Sequence, residues 1–296
     1  MTISPHSKAA DGTGHDSGRE GVGIFGLGII GTEVARHLRE AGWRVSVWNR
    51  TPKPEEAGWK ATPAEVAREA RILQLFVADP QAVDDVLDAI GDALTPEHLV
   101  ICSATIGHEA TLRVAQRVAD AGARFLDAPF TGSKEASAAA KLLYYLGGEP
   151  AVIEEAMPVL RVSGGKGIVP IGDIGQAAIV KVATNVISAV TVEVLAEMFA
   201  LAETAGVSPE QLVKAIEPHG IRSGLIDMKL PKMLAHDYET HFALKHMLKD
   251  VRFGTDLAAK HELELPATEA AVRAMEEGVE KGWADADFAI VRDLYR

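Results

Sequence analysis

The sequence predicts an α/β fold, a doubly wound parallel sheet followed by an all-helical C-terminal domain, on three observations. From Gly21 onward, short aliphatic runs alternate with amphipathic stretches, as in ILQLFVAD, QAVDDVLDAI and HLVICSA. Strands and helices that alternate at this spacing imply right-handed crossovers and a mainly parallel sheet. A glycine-rich turn, GLGIIG, joins the first aliphatic run to the first helical one. After Gly172 the strand signals cease and helical periodicity runs to the end.

Residues 1–20, MTISPHSKAADGTGHDSGRE, have neither an apolar stretch nor a hydrophobic period and read as a disordered leader. They lack the apolar centre of a secretory signal, and Asp11, Asp16 and Glu20 speak against a mitochondrial transit peptide. Residues 21–172 form the predicted sheet domain: GVGIFGLG, WRVSVWNR, ILQLFVAD, HLVICSA, ARFLDAP, KLLYYLGG and GIVPIG as strands, with helices such as TEVARHLREAG and EPAVIEEAMPVLR between them. Residues 173–296 form the helical domain. Its first helix, from Gln176 to about Ala205, would be roughly 45 Å long. It is apolar on most sides, so a partner subunit is expected against it, giving a homodimer or homotetramer. SPEQLVKAIE, LIDMKLPKML, ALKHMLKDVRFGTDLAAKHE, PATEAAVRAMEEGVEKG and DADFAIVRDLYR read as further helices, several with Ser or Pro starts and Gly stops.

At 296 residues and 47% hydrophobic, the chain can bury a large core. A formal charge of -12 argues against a nucleic-acid backbone or an anionic membrane as partner, since both need a basic surface. A small molecule is the expected partner. The single cysteine, Cys102, excludes an intrachain disulfide and a thiolate zinc cluster. Glu193 and Glu197 interrupt the longest apolar stretch, so no membrane span is expected and the cytoplasm is the default location.

The turn GVGIFGLGIIG has the spacing of a dinucleotide site. Gly26 permits a tight turn, Gly28 lets backbone approach a pyrophosphate, and Gly31 lets the helix pack closely on its strand. Glycines also occur in ordinary turns, but here a strand precedes the motif, a helix follows, and WRVSVWNR closes the unit as a second strand. The predicted domain is therefore Rossmann-type. NAD sites place a carboxylate at the end of that second strand, on the ribose 2′-hydroxyl. This chain instead has Asn49, Arg50 and Thr51, with Lys53 beyond, which offer cations and donors to a 2′-phosphate. NADP(H) is preferred over NAD(H) on that ground, against the alternative of a surface loop that holds an arginine by chance.

Lys181 and Asn185 stand one helical turn apart at the head of the long apolar helix. A structural reading lets the lysine snorkel to solvent while the asparagine caps a neighbouring turn. The nucleotide fingerprint upstream gives the lysine something to act on, and the pair then reads as catalytic. DAPFTGS has two readings as well. Pro129 and Gly132 could merely shape a loop, with Asp127 capping locally, but the loop follows a strand's carboxyl end, where ligands of open parallel sheets bind. In HFALKHMLKD, His241, His246 and Lys249 could be a solvated helix face, and no His/Cys spacing matches a metal site, so no metal is expected.

Five motifs in one order resemble the beta-hydroxyacid dehydrogenase family, and within it look most like the glyoxylate/succinic semialdehyde reductases. They are GIFGLGIIG with VWNRTP; LFVADPQAV; ATIGHEAT; DAPFTGSKEAS; and GQAAIVKVATN followed by HFALKHMLKD. The resemblance implies that Lys181 is catalytic and that Asn185 orients the substrate. It implies that Thr131, Gly132 and Ser133 hold a substrate carboxylate, with Phe242 and Asp250 supplied by the helical domain. Gly26, Leu27, Gly28, Ile29, Ile30, Val77, Ala78, Thr105 and Lys249 would line the cofactor. Ile30 stands where a Met is usual, Thr131 where a Ser is commoner, Ala104 where a Ser often precedes the threonine, and Ala177 where a second Gly is typical. The implied activity is reduction of a small carboxylate-bearing aldehyde to the hydroxy acid. The alternatives are a 3-hydroxyisobutyrate or tartronate semialdehyde enzyme of the same family and a non-catalytic NADP-binding sensor. A 6-phosphogluconate dehydrogenase is disfavoured by the short helical domain, and an imine reductase by the presence of Lys181.

Overall fold

A computed structural model describes residues 21–296, and the leader expected over residues 1–20 lies outside them. The aliphatic runs form β1 (Val22–Phe25), β2 (Val45–Trp48), β3 (Ile72–Leu75), β4 (Leu99–Cys102) and β5 (Arg124–Asp127). All four residues of β1, β3 and β4 are buried, which is why these strands read as unbroken aliphatic runs instead of alternating ones. Helices α1 (Ile29–Glu40), α2 (Pro63–Glu69), α3 (Pro80–Ile90) and α4 (His108–Asp120) return the chain between successive strands. Local chemistry starts them: Pro63 follows a Thr62–Glu65 capping box, and Asp79 caps α3 at the Ala82 amide ahead of Pro80.

The five strands pair in parallel in the order β2-β1-β3-β4-β5. Progress along the sheet reverses between β1 and β3, so their carboxyl ends border the crevice where open sheets of this kind bind ligands. Beyond β5 the pairing is mixed. Two-residue β6 (Phe130–Thr131), inside the segment read as a loop, and β7 (Leu143–Gly147) are antiparallel to one another, and β7 also meets β5 antiparallel. The short α5 (Lys134–Ala138) joins β6 to β7, and α6 (Pro150–Ser163) leads to β8 (Gly167–Gly172), which pairs with β7 in parallel. A strand as short as β6 has no periodicity to read.

One face of the sheet packs Val34, Leu38, Val159 and Leu160 of α1 and α6, and the other packs Val66, Val83, Val86 and Val114 of α2, α3 and α4. A third core is helical. It is built on α7 (Gln176–Thr204), with α8 (Pro209–Ile216), α9 (Gly224–Ala235), α10 (Leu244–Lys260) and α11 (Pro266–Glu280). The last segment, expected as an α-helix, is a 3-10 helix over Phe288–Tyr295 that lies on α7. Despite Glu193 and Glu197, α7 is long and apolar enough to cross a membrane by length and composition. Its Val192, Ala196 and Phe199 are nonetheless buried in the helical core. Ile187, Val194, Met198 and Leu201 of the same helix are exposed.

Candidate active site

The three glycines of the first turn do three different things. Gly26 has φ +95°, and a Cβ there would lie 2.3 Å from the Phe76 carbonyl oxygen. A Cβ on Gly31 would come within 1.9 Å of the Gly26 oxygen, so α1 could not approach its strand. Around Gly28, by contrast, a Cβ would meet nothing within 4 Å, and α1 begins there with no side-chain cap. Its first-turn N–H groups are thus available to an anion at an open surface, which fits a pyrophosphate.

Beside this turn, Asn49 accepts a hydrogen bond from the Leu27 amide at 2.9 Å and donates one to the Thr51 carbonyl at 2.9 Å. Its amide, expected to face a 2′-phosphate, instead braces the glycine turn, as does Lys53, which donates to the Leu27 carbonyl at 2.8 Å. Arg50 and Thr51 are exposed, and the Arg50 guanidinium has no hydrogen-bond or ion-pair partner among the described residues. Val77 and Ala78 lie across the crevice, just past the end of β3, with Ile29 at its lip, 49% exposed.

Lys181 is buried in the first turns of α7 and donates to Asn185 Oδ1 at 2.9 Å. Asn185 Nδ2 in turn donates to Asp250 Oδ2 of α10 at 2.6 Å. Because a carboxylate only accepts, Asp250 fixes which end of the amide faces the lysine. Asp250 therefore acts on Lys181 through Asn185, and its own ion pair, at 2.7 Å, is with Lys249. Lys249 closes the chain by donating to the Thr105 carbonyl of the loop after β4, at 2.7 Å. Burial is the main influence on Lys181 and lowers its pKa to about 8; Asp250 opposes that shift and Lys249 adds to it. At neutral pH the amine is charged and close to its titration point, as a general acid requires.

Thr131, Gly132, Ser133 and Phe242 make no hydrogen bond to this network among the described residues. Thr131 ends β6, and the Ser133 hydroxyl caps α5 by accepting from the Ala136 amide at 3.2 Å. His241 Nε2 stands 3.7 Å from Glu135 of α5, which brings the Phe242 segment toward the Thr131–Ser133 loop. Asp287 accepts from the His241 and Phe242 amides and binds Lys229 in a buried ion pair, so this segment is held from beneath. Asp127, whose local capping was the alternative reading of the DAPFTGS loop, caps at long range instead: its carboxylate accepts from the Gly175 and Ala178 amides at the start of α7. No local spacing pointed to that partner, which lies 48 residues away.

Residues 21–172 match the family described as the NAD binding domain of 6-phosphogluconate dehydrogenase, and residues 175–295 match the one described as NAD-binding of NADP-dependent 3-hydroxyisobutyrate dehydrogenase. The chain belongs to the beta-hydroxyacid dehydrogenase family. It is an oxidoreductase of that family, with domains that bind a nicotinamide cofactor. Glyoxylate/succinic semialdehyde reductase 2, chloroplastic, of Arabidopsis thaliana is 29% identical over 94% of this chain and 80% of its own length. The solved Mycobacterium tuberculosis 3-hydroxyisobutyrate dehydrogenase with L-serine superposes with a TM-score of 0.86 at 25% identity, covering 94% of this chain and 99% of that one. The cytokine-like nuclear factor N-PAC of Mus musculus is 26% identical over 93% of this chain, which spans 50% of that protein.

Proposed function

We propose that this beta-hydroxyacid dehydrogenase reduces a small carboxylate-bearing aldehyde of the glyoxylate or succinic semialdehyde type, in the cytoplasm, with NADP(H) preferred over NAD(H) and Lys181 as proton donor. The observation that carries the reading is the buried Lys181 amine, held by Asn185, which Asp250 holds in turn. Bound NADPH supplies the hydride. Lys181 holds its proton at Nζ, meets the negative charge that develops on the carbonyl oxygen, and transfers the proton there to give the alcohol. Asn185 keeps the amine in line. The Thr131 hydroxyl and the backbone N–H groups of Gly132 and Ser133 bind the substrate carboxylate so that the carbonyl is placed at the amine, and Phe242 excludes water. Exposed Arg50, without a hydrogen-bond or ion-pair partner among the described residues, binds the 2′-phosphate with Thr51, and no carboxylate ends β2 to repel it.

A second reading, oxidation of 3-hydroxyisobutyrate, is favoured by the resemblance to the M. tuberculosis structure. The sensor reading is disfavoured because Lys181 is retained. The test is oxidation of NADPH and NADH with glyoxylate, succinic semialdehyde, methylmalonate semialdehyde and tartronate semialdehyde. The highest kcat/KM is expected for one of the first two with NADPH. A clear preference for methylmalonate semialdehyde would favour the second reading, and no turnover with any of the four would reject both.

A further inference from the structure

We infer that Asp127 is a positioning residue for Lys181, holding the first turn of α7 so that the amine keeps its place against Asn185; the inference rests on the catalytic reading of Lys181. The long helix cannot cap itself, because its N-cap residue is Gly175 and no side chain of its own satisfies the first amides. Asp127 does so from the carboxyl end of β5. One oxygen, Oδ2, accepts from the Gly175 and Ala178 amides, each at 3.0 Å. The Gly175 carbonyl in turn faces His108 Nδ1 at 3.2 Å, on the first residue of the helix that follows the Thr105 loop. Both backbone polar groups of Gly175 are thus held by the sheet domain. A side chain is excluded there, since φ is +89° and a Cβ would lie 2.7 Å from that imidazole.

Ala178 lies one turn before Lys181, and a helix transmits a shift of its first turn to the next. Asp127 is 2% exposed, and burial pushes its pKa up to about 6 against the pull of the two amides. A neutral Asn or Ser would cap the helix without burying a charge. A charged acceptor holds the two amides more strongly than a neutral one, which favours firm placement over economy of burial.

The test uses the full chain with whichever semialdehyde it reduces fastest. Asp127→Ala is expected to lower kcat about tenfold to a hundredfold while the dissociation constant for NADPH holds within about threefold. The pH midpoint that governs kcat should also move by about half a unit, because Lys181 sits in altered surroundings. Asp127→Asn, whose amide oxygen can still accept both bonds, should restore kcat to within about fivefold. Wild-type kcat and midpoint in Asp127→Ala, whatever its thermal stability, would overturn the inference. Should that variant not fold, His108→Ala removes the second hold on Gly175: a lowered kcat with a moved midpoint supports the inference, and unchanged values overturn it. Lys181→Met separates the two ideas. If it retains turnover, the catalytic reading itself fails; if it loses turnover while the Asp127 and His108 variants keep theirs, only the positioning role fails.

Discussion

Lys181→Met should cost the enzyme its activity and leave its stability intact or improved. In the folded chain burial lowers the lysine pKa from 10.5 to about 8. Holding the cation at pH 7 therefore costs about 3 kcal/mol relative to the unfolded chain, at 1.36 kcal/mol per pH unit. Met fills a similar volume without charge and removes that cost. It also leaves Asn185 Oδ1 without its donor, a loss of about 1–3 kcal/mol. The net change lies between nothing and a gain of about 2 kcal/mol, so the melting temperature should hold or rise by up to about 4 °C. Turnover should fall by at least about a hundredfold while NADPH still binds. The sign can be checked against pH. Between about pH 8 and 10.5 the unfolded chain keeps a proton that the folded chain has lost, so wild-type stability rises across that window and the variant's advantage shrinks. Melting curves at several pH values, with NADPH oxidation assays, measure both quantities. Turnover within about tenfold of wild type, or a melting temperature lowered by more than about 6 °C, would refute the argument.

The same pKa sets the pH profile: kcat for reduction should fall as pH rises through about 8, where Lys181 loses its proton, and kcat for oxidation of the hydroxy acid should rise over the same range. Identical profiles in both directions would count against Lys181 as the proton donor. Arg50→Ala should raise KM for NADPH about tenfold and leave KM for NADH nearly unchanged, as loss of one charge-assisted contact implies. Equal losses with both cofactors would mean that Arg50 does not read the 2′-phosphate. The exposed row Ile187, Val194, Met198 and Leu201 on α7 supports self-association through the helical domain. Light scattering should give a dimer or tetramer, and the double variant Ile187→Glu, Leu201→Glu a smaller species; a monomeric wild type would reject this.

Much of the fold was legible because it is written at short range. Buried parallel strands read as aliphatic runs, Thr62–Glu65 and Asp79–Pro80 start their helices within a few residues, and the glycine turn carries its φ requirement at Gly26. Lys181 and Asn185 could be paired from sequence for the same reason, since one helical turn separates them. Periodicity gave no sign of the two-residue β6, and the aliphatic run at Leu143–Gly147 did not disclose that it runs antiparallel. Asn49 was expected to face the cofactor, but its amide is engaged in holding the Leu27 turn, a use visible only once two loops meet.

By itself, then, the sequence determined the order of all but the shortest strands and helices, the family, and the one-turn spacing of the amine and its amide. Tertiary structure alone decided that Asp250, 65 residues from Asn185, aims that amide, that Lys249 reaches the Thr105 carbonyl across 144 residues, and that Asp127 caps a helix in the other half of the chain. The physical reason is range. Helical and strand periods relate residues only a few positions apart, whereas a hydrogen bond between distant segments exists only after packing has brought them within 3 Å or so and removed the water that would otherwise satisfy them.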